Sequence, residues 1–150
     1  MRTTSNWIRL AALAAVTFAS AAAADIGIAA VQPEQVTTRD PAMCHLKIQI
    51  KNAGAKAASN FVLRVKVNGQ EVPEYKRMMY VTEVPAGKTK EQKLYPFYAP
   101  QTGKPVTVEV AILEAQWIDV KREGMNVTMM LLGAVPGLPT ATTATLELKK

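Results

Sequence analysis

Three adjacent residues, Met43, Cys44 and His45, bring together a thioether, a thiol and an imidazole. Cys44 and His45 are the only cysteine and the only histidine of the 150-residue chain. Soft sulfur ligands favour Cu(I), so the triplet reads as a candidate copper site. A competing reading makes it the start of a buried strand. Strand side chains alternate between faces, so Cys44 and His45 would point apart, while Met43 and His45 would share a face about 7 Å from each other. Cys44 is also in step with Leu46, Ile48 and Ile50, and free cysteine is among the most buried residue types. Alternation favours a core thiol and an outward imidazole. Copper binding by Met43, His45 and Cys44 stands as the alternative. The pairs Met78-Met79 and Met129-Met130 add thioethers without ligand spacing. In each pair one member is expected to fill the core and the other to face outward. Zinc needs about four N, S or O ligands, and one Cys and one His leave the rest to carboxylates.

Other chemistries fail on inventory. Beyond the first 24 residues the chain has one serine, Ser59, and one histidine, from which no Ser-His-carboxylate order can be built. A Cys next to a His in a strand is turned away from it, so a Cys-His nucleophile is also poorly served. No clustered acids suit glycoside hydrolysis, and no glycine-rich loop could cradle phosphate. We therefore expect no catalytic residues and no cofactor. The aromatic residues offer contact instead. Trp117 sits in "EAQWIDVKREGMN", which reads as a loop. With Asp119, Lys121 and Arg122 it forms a candidate partner-binding site, because Trp is enriched at binding hot spots. Trp117 with Tyr98 would make a sugar-stacking platform, a carbohydrate-binding alternative. Tyr95 and Phe97 are expected to share one face and pack the core.

The elements that must hold these residues alternate with period two. "CHLKIQIKN" sets Leu46, Ile48 and Ile50 against Lys47, Gln49 and Lys51, one apolar face and one wet face. "NFVLRVKVNG", "PVTVEVAILEA" and "MNVTMMLLG" repeat the pattern, the last through Val127, Met129 and Leu131. "IGIAAVQP", "RMMYVTEVP" and "KEQKLYPFYAP" read as further strands, and "ATLELKK" as a closing one. Asn68-Gly69 is a tight-hairpin signal, since both residues tolerate positive φ. With turns at Asn52–Ser59, Pro85–Lys88 and Pro100–Pro105 and no amphipathic helix between them, the pattern predicts an all-β, antiparallel sandwich of about seven to eight strands. "GAVPGLPTATTA" reads as a loose connection.

The N-terminus has a basic start (Arg2, Arg9), an apolar stretch from Leu10 to about Ala19 and a small-residue run Ala21–Ala24, the pattern of a cleaved signal peptide. The expected organisation is a leader at 1–24, a sandwich at 25–132, and a connection with a terminal strand at 133–150. No later segment is long and apolar enough to span a membrane. The compartment expected is periplasmic or extracellular, in a bacterium. Losing Arg2 and Arg9 takes the formal charge from +6 to +4. That balance is mild and scattered, which argues against nucleic acid and leaves anionic cell-wall polymer as a secondary option.

The order of motifs resembles the CARDB family, an immunoglobulin-like module of exported and surface proteins. The matching residues are Ile48, Ile50, Asn52, Gly54, Ala58, Phe61, Leu63 and Val65, then Gly69 and Val72. "VPAGKT" (Val84–Thr89), Tyr95, Pro96, Tyr98 and Pro100, and the alternating Val106, Val108 and Val110 follow. In the family that last strand is followed by an acidic, Asn-rich loop; here Trp117, Lys121 and Arg122 intrude, so no cation site is carried over. The resemblance implies an immunoglobulin-like sandwich with a non-enzymatic role in adhesion or assembly, acting on an envelope or surface protein.

Overall fold

The computed structural model describes residues 24–150; the expected leader therefore lies outside the described residues, Ala24 excepted. Eight strands form two antiparallel sheets. The first sheet takes β1 (Ile26–Gln35), β2 (Ala42–Asn52) and β5 (Thr89–Ala99), in the order β1-β2-β5. The second takes β3 (Ala57–Val67), β4 (Gln70–Val72), β6 (Val106–Glu123), β7 (Asn126–Ala134) and β8 (Thr140–Leu146). Its order is β4-β3-β6, with both β7 and β8 on the far side of β6.

The alternating apolar residues meet between the sheets. Cys44, Leu46, Ile48 and Ile50 of β2 bury against Phe61, Leu63 and Val65 of β3 and Val106, Val108, Val110 and Ile112 of β6, in one core cluster. Between β3 and β4, Asn68 (φ 51°) and Gly69 (φ 79°) are both left-handed, the backbone a two-residue type I′ hairpin requires. The Asn68 carboxamide oxygen accepts the Thr107 N–H at 2.9 Å, which fixes this hairpin to the start of β6.

Five local expectations need correction. "RMMYVTEVP" is not a strand: a 3₁₀ turn, Pro73–Arg77, precedes a segment that pairs with β3 at Tyr80 and Val84, as single bridges to Phe61 and Ala58. Tyr95 does not share the core with Phe97; it is 62% exposed against 2%. Between Leu94 and Phe97 the strand bulges against Cys44–Leu46. The bulge accommodates Pro96, which has no N–H for the ladder, and turns Tyr95 outward. The closing strand begins at Thr140, not Ala144, and pairs with Val106–Ile112; its half-buried side chains are the alternate ones, Thr140, Thr142, Ala144 and Leu146. "EAQWIDVKREGMN" is not a loop, because β6 continues through it to Glu123. Met129 and Met130 both lie exposed, so neither fills the core.

Candidate interaction ribbon

β6 is long enough to have two different sets of neighbours. Val106–Ile112 is flanked by β8 on one side, and β3 lines the other side as far as Ala57, which pairs with Ile118. Past Ile118, β3 has ended, and Asp119–Glu123 pair only with β7. The two strands therefore continue as a ribbon. It is closed by Gly124-Met125, with Gly124 at φ 61°, the glycine position of a two-residue type II′ turn.

Trp117 anchors the base of this ribbon. It pairs with Ala58 on one side and Gly133 on the other, two small residues that leave room for an indole. Its ring lies on Gly54, where an added Cβ would stand 2.6 Å from the ring carbon Cη2. The Asn52 side chain, fully buried, organises the same corner. Its Nδ2 donates to the carbonyls of Lys56 (2.7 Å) and Val84 (3.0 Å), and its Oδ1 accepts the Gly54 N–H at 2.9 Å. These bonds satisfy the buried amide, as burial demands, and they give the Asn-x-Gly pattern its physical meaning: Asn ties three segments and Gly admits the tryptophan. Trp117 is thus a half-buried cover over the core end, on a strand.

Asp119, Lys121 and Arg122 fall on the ribbon and are exposed or half-exposed, with Arg122 paired to Glu83. Opposite them, every residue of β7 is exposed. Val127, Met129, Met130, Leu131 and Leu132 present large apolar side chains to solvent, and Met125 at the tip is 100% exposed. No charged residue occurs from Met125 through Leu146. Sequence reading missed these β7 residues because the alternation of Val127, Met129 and Leu131 suggested an inward face. The uncharged run was the available signal.

The other sheet edges are guarded. β4 is only three residues long. β5 carries Lys90, Glu91 and Lys93, then a bulge at Pro96. β1 is covered by β8, whose Thr140 and Thr142 hydroxyls donate to the carbonyls of Ile26 (3.4 Å) and Ile28 (3.0 Å). Short length, lysines, prolines, bulges and coverage are the devices that stop edges from pairing with other chains. β7 has no lysine, no proline and no cover, and its one bulge, at Leu132 against Trp117–Ile118, lies near its C-terminal end.

The triplet that opened the sequence is split by its strand. Cys44 is fully buried, and burial pushes its thiol above the ordinary value of 9.0. His45 is exposed and Met43 half-buried. Only Met43 and His45 remain on one face. Among the described residues no group of three or more His, Cys, Asp or Glu side chains stands close enough to hold a metal. Ser59 is buried on β3, in the sheet opposite His45. Tyr98 pairs with Met43, whereas Trp117 rests on Gly54 beyond the other end of β2. Eleven residues of strand rise separate these ends by roughly 35 Å, so the two aromatics form no common platform. Among the described residues no helix is long and apolar enough to cross a membrane.

The CARDB family model matches residues 23–129, more than half of the chain, from the approach to β1 into the middle of β7. No curated protein matches the chain, and no solved structure does.

Proposed function

We propose, starting from the fact that the chain belongs to the CARDB family, that it is an exported, non-enzymatic module that works by protein–protein contact in envelope or surface assembly. The contact is the β6–β7 ribbon. One observation carries this reading: an apolar, uncharged, nine-residue edge strand exposed at every position. Contiguous exposed apolar surface marks interaction sites, and an open edge offers a row of unpaired N–H and C=O groups for strand addition.

The ribbon suits lateral contact better than insertion into lipid. Its apolar strand is bound to one carrying Asp119, Lys121, Arg122 and Glu123, and Glu123 flanks the very turn that would enter first. Burying those charges in hydrocarbon would cost several kcal/mol. The edge of β7 can be covered by another strand while they stay in water.

A photo-crosslinking residue placed at Val127 in the producing cell tests the reading, with Lys90 on the guarded β5 edge as control. Val127 is expected to yield a discrete protein adduct and Lys90 none. Equal labelling at both sites, or none at Val127, would overturn the assignment of the ribbon as the contact.

A further inference from the structure

We infer that the strand added to β7 is β7 of a second copy, antiparallel, so that the two ribbons join into one four-stranded sheet across a two-fold axis. The inference rests on the reading of the ribbon as a contact surface and names its partner.

Charge makes the first case. A strand that carries lysines or glutamates meets its own like charges when paired with itself, and like charges directly opposite are destabilising. β7 carries no charge, so no register of self-pairing opposes like with like. The β5 edge, with Lys90, Glu91 and Lys93, has no such freedom.

Geometry makes the second. In antiparallel self-pairing about a two-fold axis normal to the sheet, residues that face each other must lie on the same face, so the axis passes through a residue. The centre of Asn126–Ala134 is Met130. With Met130 on the axis, Met129 faces Leu131 of the second copy on each side of it; β7 bulges at Leu132 against Trp117–Ile118, so beyond these pairs Thr128 meets the bulge. Apolar residues thereby meet apolar residues at the middle of the pair. Isolated two-stranded ribbons are marginal in water, whereas more strands with an apolar face are stable; the second copy supplies them.

Size sets the strength. Five half-exposed apolar side chains and one backbone edge from each copy bury roughly 1,000 Å² in all, the floor for a specific interface. The dimer is accordingly expected to be weak, formed where the protein is concentrated.

Sedimentation velocity on the protein produced from its full-length sequence, across a concentration series, tests this. Wild type is expected to pass from monomer to dimer. Met129→Lys and Leu131→Glu, each at an exposed position, are expected to weaken the dimer about tenfold or more. The M129K/L131E double variant sets Lys opposite Glu twice across the axis, and is expected to recover association in a salt-sensitive way. Circular dichroism melts verify that all variants remain folded. A wild type that stays monomeric at the highest concentration, a dimer indifferent to both single variants, or a double variant no better than the singles would overturn the inference. The Val127 crosslink separates the two readings. An adduct with a different protein from a monomeric wild type removes the second copy and leaves the ribbon as a contact; no adduct at all removes both.

Discussion

The first thirteen residues of β6, Val106–Ile118, and its last five, Asp119–Glu123, share one backbone geometry and end in opposite surroundings. The first part has a strand on each side over most of its length and supplies Val106, Val108, Val110 and Ile112 to the core. The last part has β7 alone, and both faces of that pair are wet. The boundary falls where β3 begins at Ala57 and where Trp117 caps the core on Gly54. Below it, residue identity is set by packing. Above it, packing within the chain asks nothing, so five large apolar side chains on β7 are in excess of what folding uses. That excess is what the ribbon offers to another chain.

Substitutions on the two sides should separate stability from association. The largest effect is expected in the body. Phe61, fully buried, should cost about 4 kcal/mol when cut to alanine, read as a shift of the urea midpoint. Next comes the corner under Trp117. Asn52→Ala strips the partners of two carbonyls and one N–H, and should cost about 3 kcal/mol. Gly54→Ala drives a methyl into the indole and should cost about 2 kcal/mol, with a change in Trp117 fluorescence as a second readout. A smaller effect is expected from pH. Burial raises the pKa of the Cys44 thiol from its ordinary 9.0, and those of the Tyr75 and Tyr80 hydroxyls from 10.0. Each group is held in its neutral form by the fold. Its contribution is complete below the unfolded pKa and is lost as pH rises toward the folded one. Stability should therefore hold up to about pH 9, then fall by about 1 kcal/mol over the next unit, and Cys44 should resist thiol reagents until the chain unfolds. The smallest effect on stability belongs to the ribbon. Met129→Thr with Leu131→Thr, both exposed, should move the unfolding free energy by no more than about 0.5 kcal/mol, while abolishing the adduct formed from Val127. A large loss of stability from that pair would erase the distinction between the two halves of β6.

The body was readable in the residues and the ribbon was not, for one physical reason. Period-two alternation reports a strand with one dry face, as in Leu46–Ile50 and Phe61–Val67. Asp119–Glu123 has no dry face, so its strand left no alternation and read as a loop. Val127, Met129 and Leu131 did alternate, but towards water. Alternation fixes which residues share a face and says nothing about what covers it. Tyr95 was misplaced by a single bulge at Pro96, which shifts every face assignment on one side of it. The Ala/Thr-rich β8 hid its periodicity in small residues, whose half-burial depends on β1 and β6 rather than on their own hydrophobicity. Trp117 was legible as exceptional. Its role as a cover depends on Gly54, sixty-three positions away in the chain, and on the pairing of Asn52 that no local pattern displays.

The seam between β1 and β8 sets the order of events in time. Thr140 and Thr142 reach carbonyls on Ile26 and Ile28, and Gln35 exchanges two bonds with the Lys149 backbone, every one of these contacts spanning 114 residues. Such distant closures make folding slow. Without β8, β1 lacks its cover and β6 lacks one neighbour along Val106–Ile112. A chain that has not yet docked β8 is thus kept from locking shut, and β8 acts as the latch that commits the sandwich.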